Sequence, residues 1–158
     1  MKLTGVRITF AAVAALFILA IGLAACTAKP TDSTAKVARP SKPGGAGQAV
    51  SLTGDAIKGA DIFKANCVRC HGEEGKTGVA NAGSTDGTVP AITPIDESLI
   101  SKDPKTYATN LDLFIEHGSV PAGDNPALSM SAFGDDKTLQ PQEIADVIAY
   151  VSSLNPPK

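Results

Sequence analysis

Cys67-Val68-Arg69-Cys70-His71 is the stretch on which the reading of this 158-residue chain turns. Two thiols three positions apart lie about one helical turn from each other, and the next residue is an imidazole. That spacing suits two thioether bonds to the vinyl groups of a haem, with the histidine facing the iron as an axial ligand. Other uses of paired cysteines fit less well. A structural zinc site needs four ligands, and beyond Cys67, Cys70 and His71 the only further thiol or imidazole donors are His117 and Cys26. His71 is bonded directly to Cys70 and badly placed to share a tetrahedral site with both cysteines. A thioredoxin-like dithiol would need a βαβ setting, which the flanking sequence lacks. The motif therefore predicts one covalent haem c, attached through Cys67 and Cys70, with His71 on the iron.

Working outward, the pattern is helical. Residues 55–66 predict a first helix with Asp55 as its cap and Ile57, Ala60 and Phe63 on one face. Residues 72–101 are rich in Gly, Thr and Pro and read as loop. Asp103-Pro104 pairs an N-cap acid with a proline at the first helical position; Tyr107, Leu111, Phe114 and Ile115 follow at helical spacing, and Gly118 stops the run. Residues 119–136 are a further loop. A last helix starts near Pro141 with Glu143 in its first turn. Its stripe is Ile144, Val147, Ile148 and Val151, and Pro156-Pro157 ends it. No run alternates well enough for a strand, so the fold class is all-α, with a haem domain over residues 54–158.

A second axial ligand follows by elimination, since methionine and histidine both pair with a haem histidine. Once the N-terminal segment is removed, Met130 is the single methionine, 59 residues after His71 in the loop before the last helix. The rival is His117, which would give bis-histidine ligation. It ends a helix beside Gly118, where a histidine also serves as a favourable C-terminal charge.

The N-terminus reads as an export signal over residues 1–25: Lys2 and Arg7 precede an apolar run from Ile8 to Ala25. Leu23-Ala24-Ala25-Cys26 resembles the lipobox of bacterial lipoproteins, with Cys26 acylated after cleavage. A retained transmembrane anchor is the alternative. Either one tethers the chain to a membrane, with the haem domain on the periplasmic or extracytoplasmic side. Residues 26–53 then comprise the lipidated cysteine and a linker rich in Ala, Pro, Gly, Ser, Thr and Lys. With few bulky apolar residues it predicts disorder and a reach of roughly 30 Å.

Charge and composition bound the partners. Residues 27–53 hold four basic side chains against one acid, whereas residues 54–158 hold eight basic against fifteen acidic, a balance of −7. Acidic surface argues against nucleic acid, which selects Lys and Arg on the contact face. It favours redox protein partners with a basic docking surface, reached by electrostatic steering; the acids also serve plain solubility. Five Phe, two Tyr and no Trp leave a small core short of bulk, and a buried macrocycle would supply it.

From about Gly54 to Leu154 the chain resembles the class I cytochromes c. The likeness rests on Gly59-Ala60-Asp61-Ile62-Phe63, the CVRCH motif, Met130-Ser131-Ala132-Phe133-Gly134, and Glu143-Ile144-Ala145-Asp146-Val147-Ile148-Ala149-Tyr150-Val151. The resemblance implies that the first and last helices cross through Gly59 and Phe63 against Tyr150. It also implies that a proline carbonyl, best matched by Pro90, accepts the proton on the far nitrogen of His71. Tyr107 matches positions near a haem propionate and equally suits a core tyrosine. Two departures stand out: Ser131 follows Met130 where the family often has proline, and Val89 precedes Pro90 where glycine is usual. The implied role is one-electron relay between respiratory or photosynthetic partners, without a small-molecule substrate. The alternatives are a fixed cytochrome subunit of a quinol-oxidising or terminal-oxidase complex, or a peroxidase or gas-binding protein if Met130 leaves the iron.

Overall fold

Asp55 opens the first helix. Its carboxylate accepts the N–H groups of Ile57 and Lys58 at 2.9 and 3.3 Å, satisfying two of the donors a helix start leaves free. In the computed structural model, which describes residues 39–40 and 44–158, helix α1 spans Ala56–Asn66 and the short α2 spans Val68–His71. Helix α3, Pro104–His117, begins as the Asp103-Pro104 pair predicts: the Asp103 carboxylate takes the Thr106 N–H at 2.7 Å. Helix α4, Pro141–Leu154, opens on a capping box in which Glu143 accepts the Gln140 N–H at 2.7 Å. The stripe of Ile144, Val147, Ile148 and Val151 is buried, as its periodicity requires. Among the described residues no helix is long and apolar enough to cross a membrane.

α1 and α4 make the closest crossing. A Cβ on Gly59 would run into the Asp146 carbonyl and the Tyr150 Cβ, so only glycine lets the two backbones approach this far. One turn on, Phe63 is 2 % exposed and its ring meets that of Tyr150 with centroids 5.3 Å apart and planes inclined at 58°. The predicted contact of Gly59 and Phe63 with Tyr150 is therefore present. Ile57, expected to share the buried face of Phe63, is instead 81 % exposed. The crossing selects the smallest residue at the point of contact, so the buried line runs through Gly59 and Phe63 and turns Ile57 to solvent. Tyr107 is a core tyrosine: it is buried, and its hydroxyl donates to the Asn155 carbonyl at 3.0 Å.

The all-α fold class holds, with two local corrections. A small antiparallel ladder exists, with β1 (Arg39–Pro40) against β2 (Ser119–Val120), pairing Arg39 with Val120 and Pro40 with Ser119. Two-residue strands are too short to alternate and left no pattern in the sequence. Residues 44–53, expected in the disordered linker, pack on the helices. Gln48–Ser51 form a 3₁₀ turn, Ala49 is 2 % exposed within the apolar core, and the Gly47 N–H donates to Asp112 Oδ2 at 2.6 Å. Small residues carry little hydrophobicity, but here they fit a shallow surface that larger ones could not, so the ordered domain starts before Gly54. The predicted signal segment 1–25, the lipidation site Cys26, and the linker residues 27–38 and 41–43 lie outside the described residues.

Candidate haem site

The CVRCH motif sits at the break between α1 and α2. Cys67 ends α1, with its N–H on the Phe63 carbonyl at 2.8 Å, and serves as the cap of α2, where its carbonyl accepts from Cys70 and His71. Both thiols and the imidazole are thus carried on one turn and fixed by the backbone. Burial, and then the neighbouring Cys70 thiol, push the Cys67 thiol up to about 12. Among the described residues no three His, Cys, Asp or Glu side chains converge as a metal cluster, so the zinc reading finds no support.

The loop that follows folds back onto the motif in steps. Thr77 and Val79 donate to the His71 and Cys70 carbonyls at 3.2 Å each, Val89 pairs with Val79 at 2.8 Å, and Ile92 with the Gly75 carbonyl at 2.8 Å. These contacts bring Pro90 over His71, whose Nδ1 lies 3.0 Å from the Pro90 carbonyl oxygen. A carbonyl only accepts, so Nδ1 carries the proton and Nε2 keeps its lone pair. Burial holds the imidazole below its ordinary pKa, with the Pro90 bond opposing. The neutral ring with a free Nε2 is the metal-binding form of histidine.

Met130 is half-buried and packs against the same apolar cluster as Cys67 and Val68. Its backbone is held from two sides. Ser119 and Met130 exchange hydrogen bonds, Ser119 N–H to Met130 O at 3.1 Å and Met130 N–H to Ser119 O at 2.8 Å. Two residues earlier, Leu128 gives its N–H to Asn81 Oδ1 at 2.8 Å and its carbonyl receives Asn81 Nδ2 at 3.0 Å. Gly118, at φ +69°, brings the end of α3 against the Met130 carbonyl where a side chain would collide.

His117 is committed elsewhere. Its Nδ1 lies 3.1 Å from Asp135 Oδ2 and its Nε2 2.9 Å from the Gly45 carbonyl. The carbonyl, first, and the carboxylate raise its pKa, and serving both acceptors takes a proton on each nitrogen. Both nitrogens of His117 are thus engaged by protein acceptors in this structure.

A family model described as Cytochrome c matches residues 56–155. The chain belongs to the cytochrome c family. No curated protein and no solved structure was matched by the chain. The cytochrome c family carries covalently bound haem c and works by haem-based electron transfer. The residues present fit that group: paired thiols on one turn, a histidine with a free Nε2, and apolar side chains that the protein covers only in part. Ile92, Leu99, Ile100, Met130 and Phe133 are of this kind, packed on the core yet incompletely buried. Sequence reasoning missed the residues that position the loops of this cytochrome c. Asn81, and Asn155, which accepts the Ile95 N–H and donates to the Ile92 carbonyl, are buried where no periodicity marks them, and Ser119 is too short a side chain to stand out.

Proposed function

We propose that this chain is a monohaem, class I type electron carrier, tethered to a membrane through lipid on Cys26. In this reading the haem is bonded to Cys67 and Cys70, and His71 and Met130 hold the iron. The single observation that carries it is the 3.0 Å bond from His71 Nδ1 to the Pro90 carbonyl, which presents Nε2 as a ligand. The hydrogen bonds that occupy both nitrogens of His117 support Met130 as the second ligand. The bound haem supplies the redox-active iron. His71 and Met130 would hold the iron, and the Pro90 carbonyl would keep the imidazole basic. With both positions taken, substrate chemistry at the metal is blocked and outer-sphere transfer remains. The acidic haem domain favours donors and acceptors with basic docking surfaces. The haem domain is placed on the extracytoplasmic side by the export signal.

The test is the ferric absorption spectrum of the purified holoprotein and its Met130→Ala variant. A sulfur-to-iron charge-transfer band is expected in the wild type and absent in the variant; a wild type without the band overturns Met130 ligation. Mass spectrometry of the membrane-extracted chain reads the other two assignments. One haem mass and a diacylglyceryl adduct on a chain beginning at Cys26 are expected.

A further inference from the structure

We propose that residues 44–51, with Arg39–Pro40, form a strap that positions the axial-ligand loop by holding Ser119, the residue to which Met130 is paired. The evidence is the order of contacts. Ser119 stands between Pro40, its register partner in the β1–β2 ladder, and Met130, with which it exchanges two backbone hydrogen bonds. Two residues before Ser119, His117 donates to the Gly45 carbonyl at 2.9 Å. One turn further back along α3, Asp112 accepts the Gly47 N–H at 2.6 Å, and Ala49 then enters the apolar core. The strap thus grips α3 at residues 112 and 117, and β2 immediately beyond it.

Each grip is a part-buried polar contact, with Asp112 Oδ2 engaged by the strap while its Oδ1 has no hydrogen-bond partner among the described residues. Asp112 is fully buried and His117 nearly so, and lifting the strap takes away the Gly47 and Gly45 partners that lie over them. Such groups hold a segment in one place, because an alternative position leaves them unsatisfied. Gly118 lies at the join: its positive φ and missing side chain, whose Cβ would lie 2.5 Å from the Met130 carbonyl oxygen, let the end of α3 close on the Met130 loop. The strap therefore works on Met130 through Ser119, as a positioning element rather than a ligand.

Adjacent glycines provide the test. A Cβ at Gly44 would strike the His117 ring, whereas one at Gly45 would meet nothing within 4 Å. Gly44→Leu should wedge the strap off and Gly45→Ala should leave it seated. Amide hydrogen exchange on the full-length holoprotein reads the result. In Gly44→Leu the Gly47 amide should lose protection, and the Ser119 and Met130 amides should exchange at least tenfold faster, with Ile148 in α4 unchanged. Free imidazole should enter the ferric protein at least tenfold faster as well. Gly45→Ala should match the wild type throughout. A freed Gly47 amide with wild-type exchange at Ser119 and Met130 overturns the proposal. So do Ser119 and Met130 amides that exchange tenfold faster in Gly44→Leu while the Gly47 amide stays protected, because the loop would then loosen with the strap still seated. If Gly44→Leu unfolds the domain, Gly44→Ala is read by the same criteria. The imidazole readout rests on Met130 being a ligand, but the exchange readout does not. A wild type lacking the sulfur-to-iron band would therefore fail the proposed function without deciding on the strap.

Discussion

His71 and Pro90 are nineteen residues apart in sequence and joined by a single hydrogen bond, Nδ1 to carbonyl oxygen at 3.0 Å. The acceptor is a backbone atom, so any residue at position 90 could supply it; proline adds a fixed φ that holds the carbonyl in place. Pro90→Ala should keep a carbonyl there while loosening its position, and should cost about 0.4–1 kcal/mol of stability through the freer unfolded chain. A weaker bond to Nδ1 makes the imidazole a poorer donor, so the reduction potential of the holoprotein should rise. Redox titration of the variant beside the wild type checks it; an unchanged or lower potential would show that Pro90 does not tune the ligand.

The α1–α4 crossing makes a prediction whose sign opposes helix propensity. Replacing a helical glycine by alanine ordinarily gains roughly 0.5–1 kcal/mol. At Gly59 the new methyl would meet the Asp146 carbonyl and the Tyr150 Cβ. Overpacking of this kind costs about 1–3 kcal/mol, and the nearest struck atoms, the Asp146 carbonyl, are backbone, which cannot swing aside. Gly59→Ala should therefore lower the urea midpoint of the holoprotein. Equal or greater stability would mean the helices can separate without loss.

What the sequence made legible was what local chemistry specifies. Asp55, Asp103 and Glu143 marked helix starts because a capping carboxylate acts within three residues of itself. The motif and the Ile144–Val151 stripe were equally self-contained. Ile57 misled because periodicity gives a face but not which partner that face meets, and the partner here demanded glycine. Residues 44–53 look like linker in sequence because the attachments they make run to Asp112 and His117, side chains more than sixty positions away. The same holds for Asn81 and Leu128, whose pairing spans 47 positions. Contacts of that range leave no trace in a window of neighbours.

His117 gives the protein a pH dependence of definite sign. The Gly45 carbonyl and then Asp135 raise its pKa above the ordinary 6.5. The folded state thus favours the imidazolium, and this stabilisation is complete below the unfolded value and lost as pH rises through the raised one. The other charged groups near it, Asp112 and Glu116 on α3, are pushed up chiefly by burial and gain stability on acidification. Those two remain in His117→Gln but lose the imidazolium that partly lowers them, so the comparison reads the histidine together with its hold on Asp112 and Glu116. The wild type should lose stability as pH rises above the ordinary histidine value of 6.5 and through the raised one, and the variant should be flatter over the same rise. Urea midpoints at four or five pH values decide it, and parallel curves would remove His117⁺ from the account.

Asn81 is fully buried and holds both backbone groups of Leu128, imitating one rung of a sheet. Asn81→Ala leaves that N–H and that carbonyl without their partner, at a cost of about 1–3 kcal/mol for each group that water cannot reach. Asn81→Asp keeps the acceptor for the Leu128 N–H but sets an oxygen against the Leu128 carbonyl and buries a charge, so it should be no better than alanine. Because Leu128 lies two residues before Met130, either change should also speed free imidazole binding to the ferric protein, beyond what the stability loss alone produces. Gly59→Ala is the matched control, since it destabilises the domain without touching this loop. If imidazole enters Asn81→Ala and Gly59→Ala equally fast at equal loss of stability, Asn81 stabilises the domain as a whole and has no special hold on Met130.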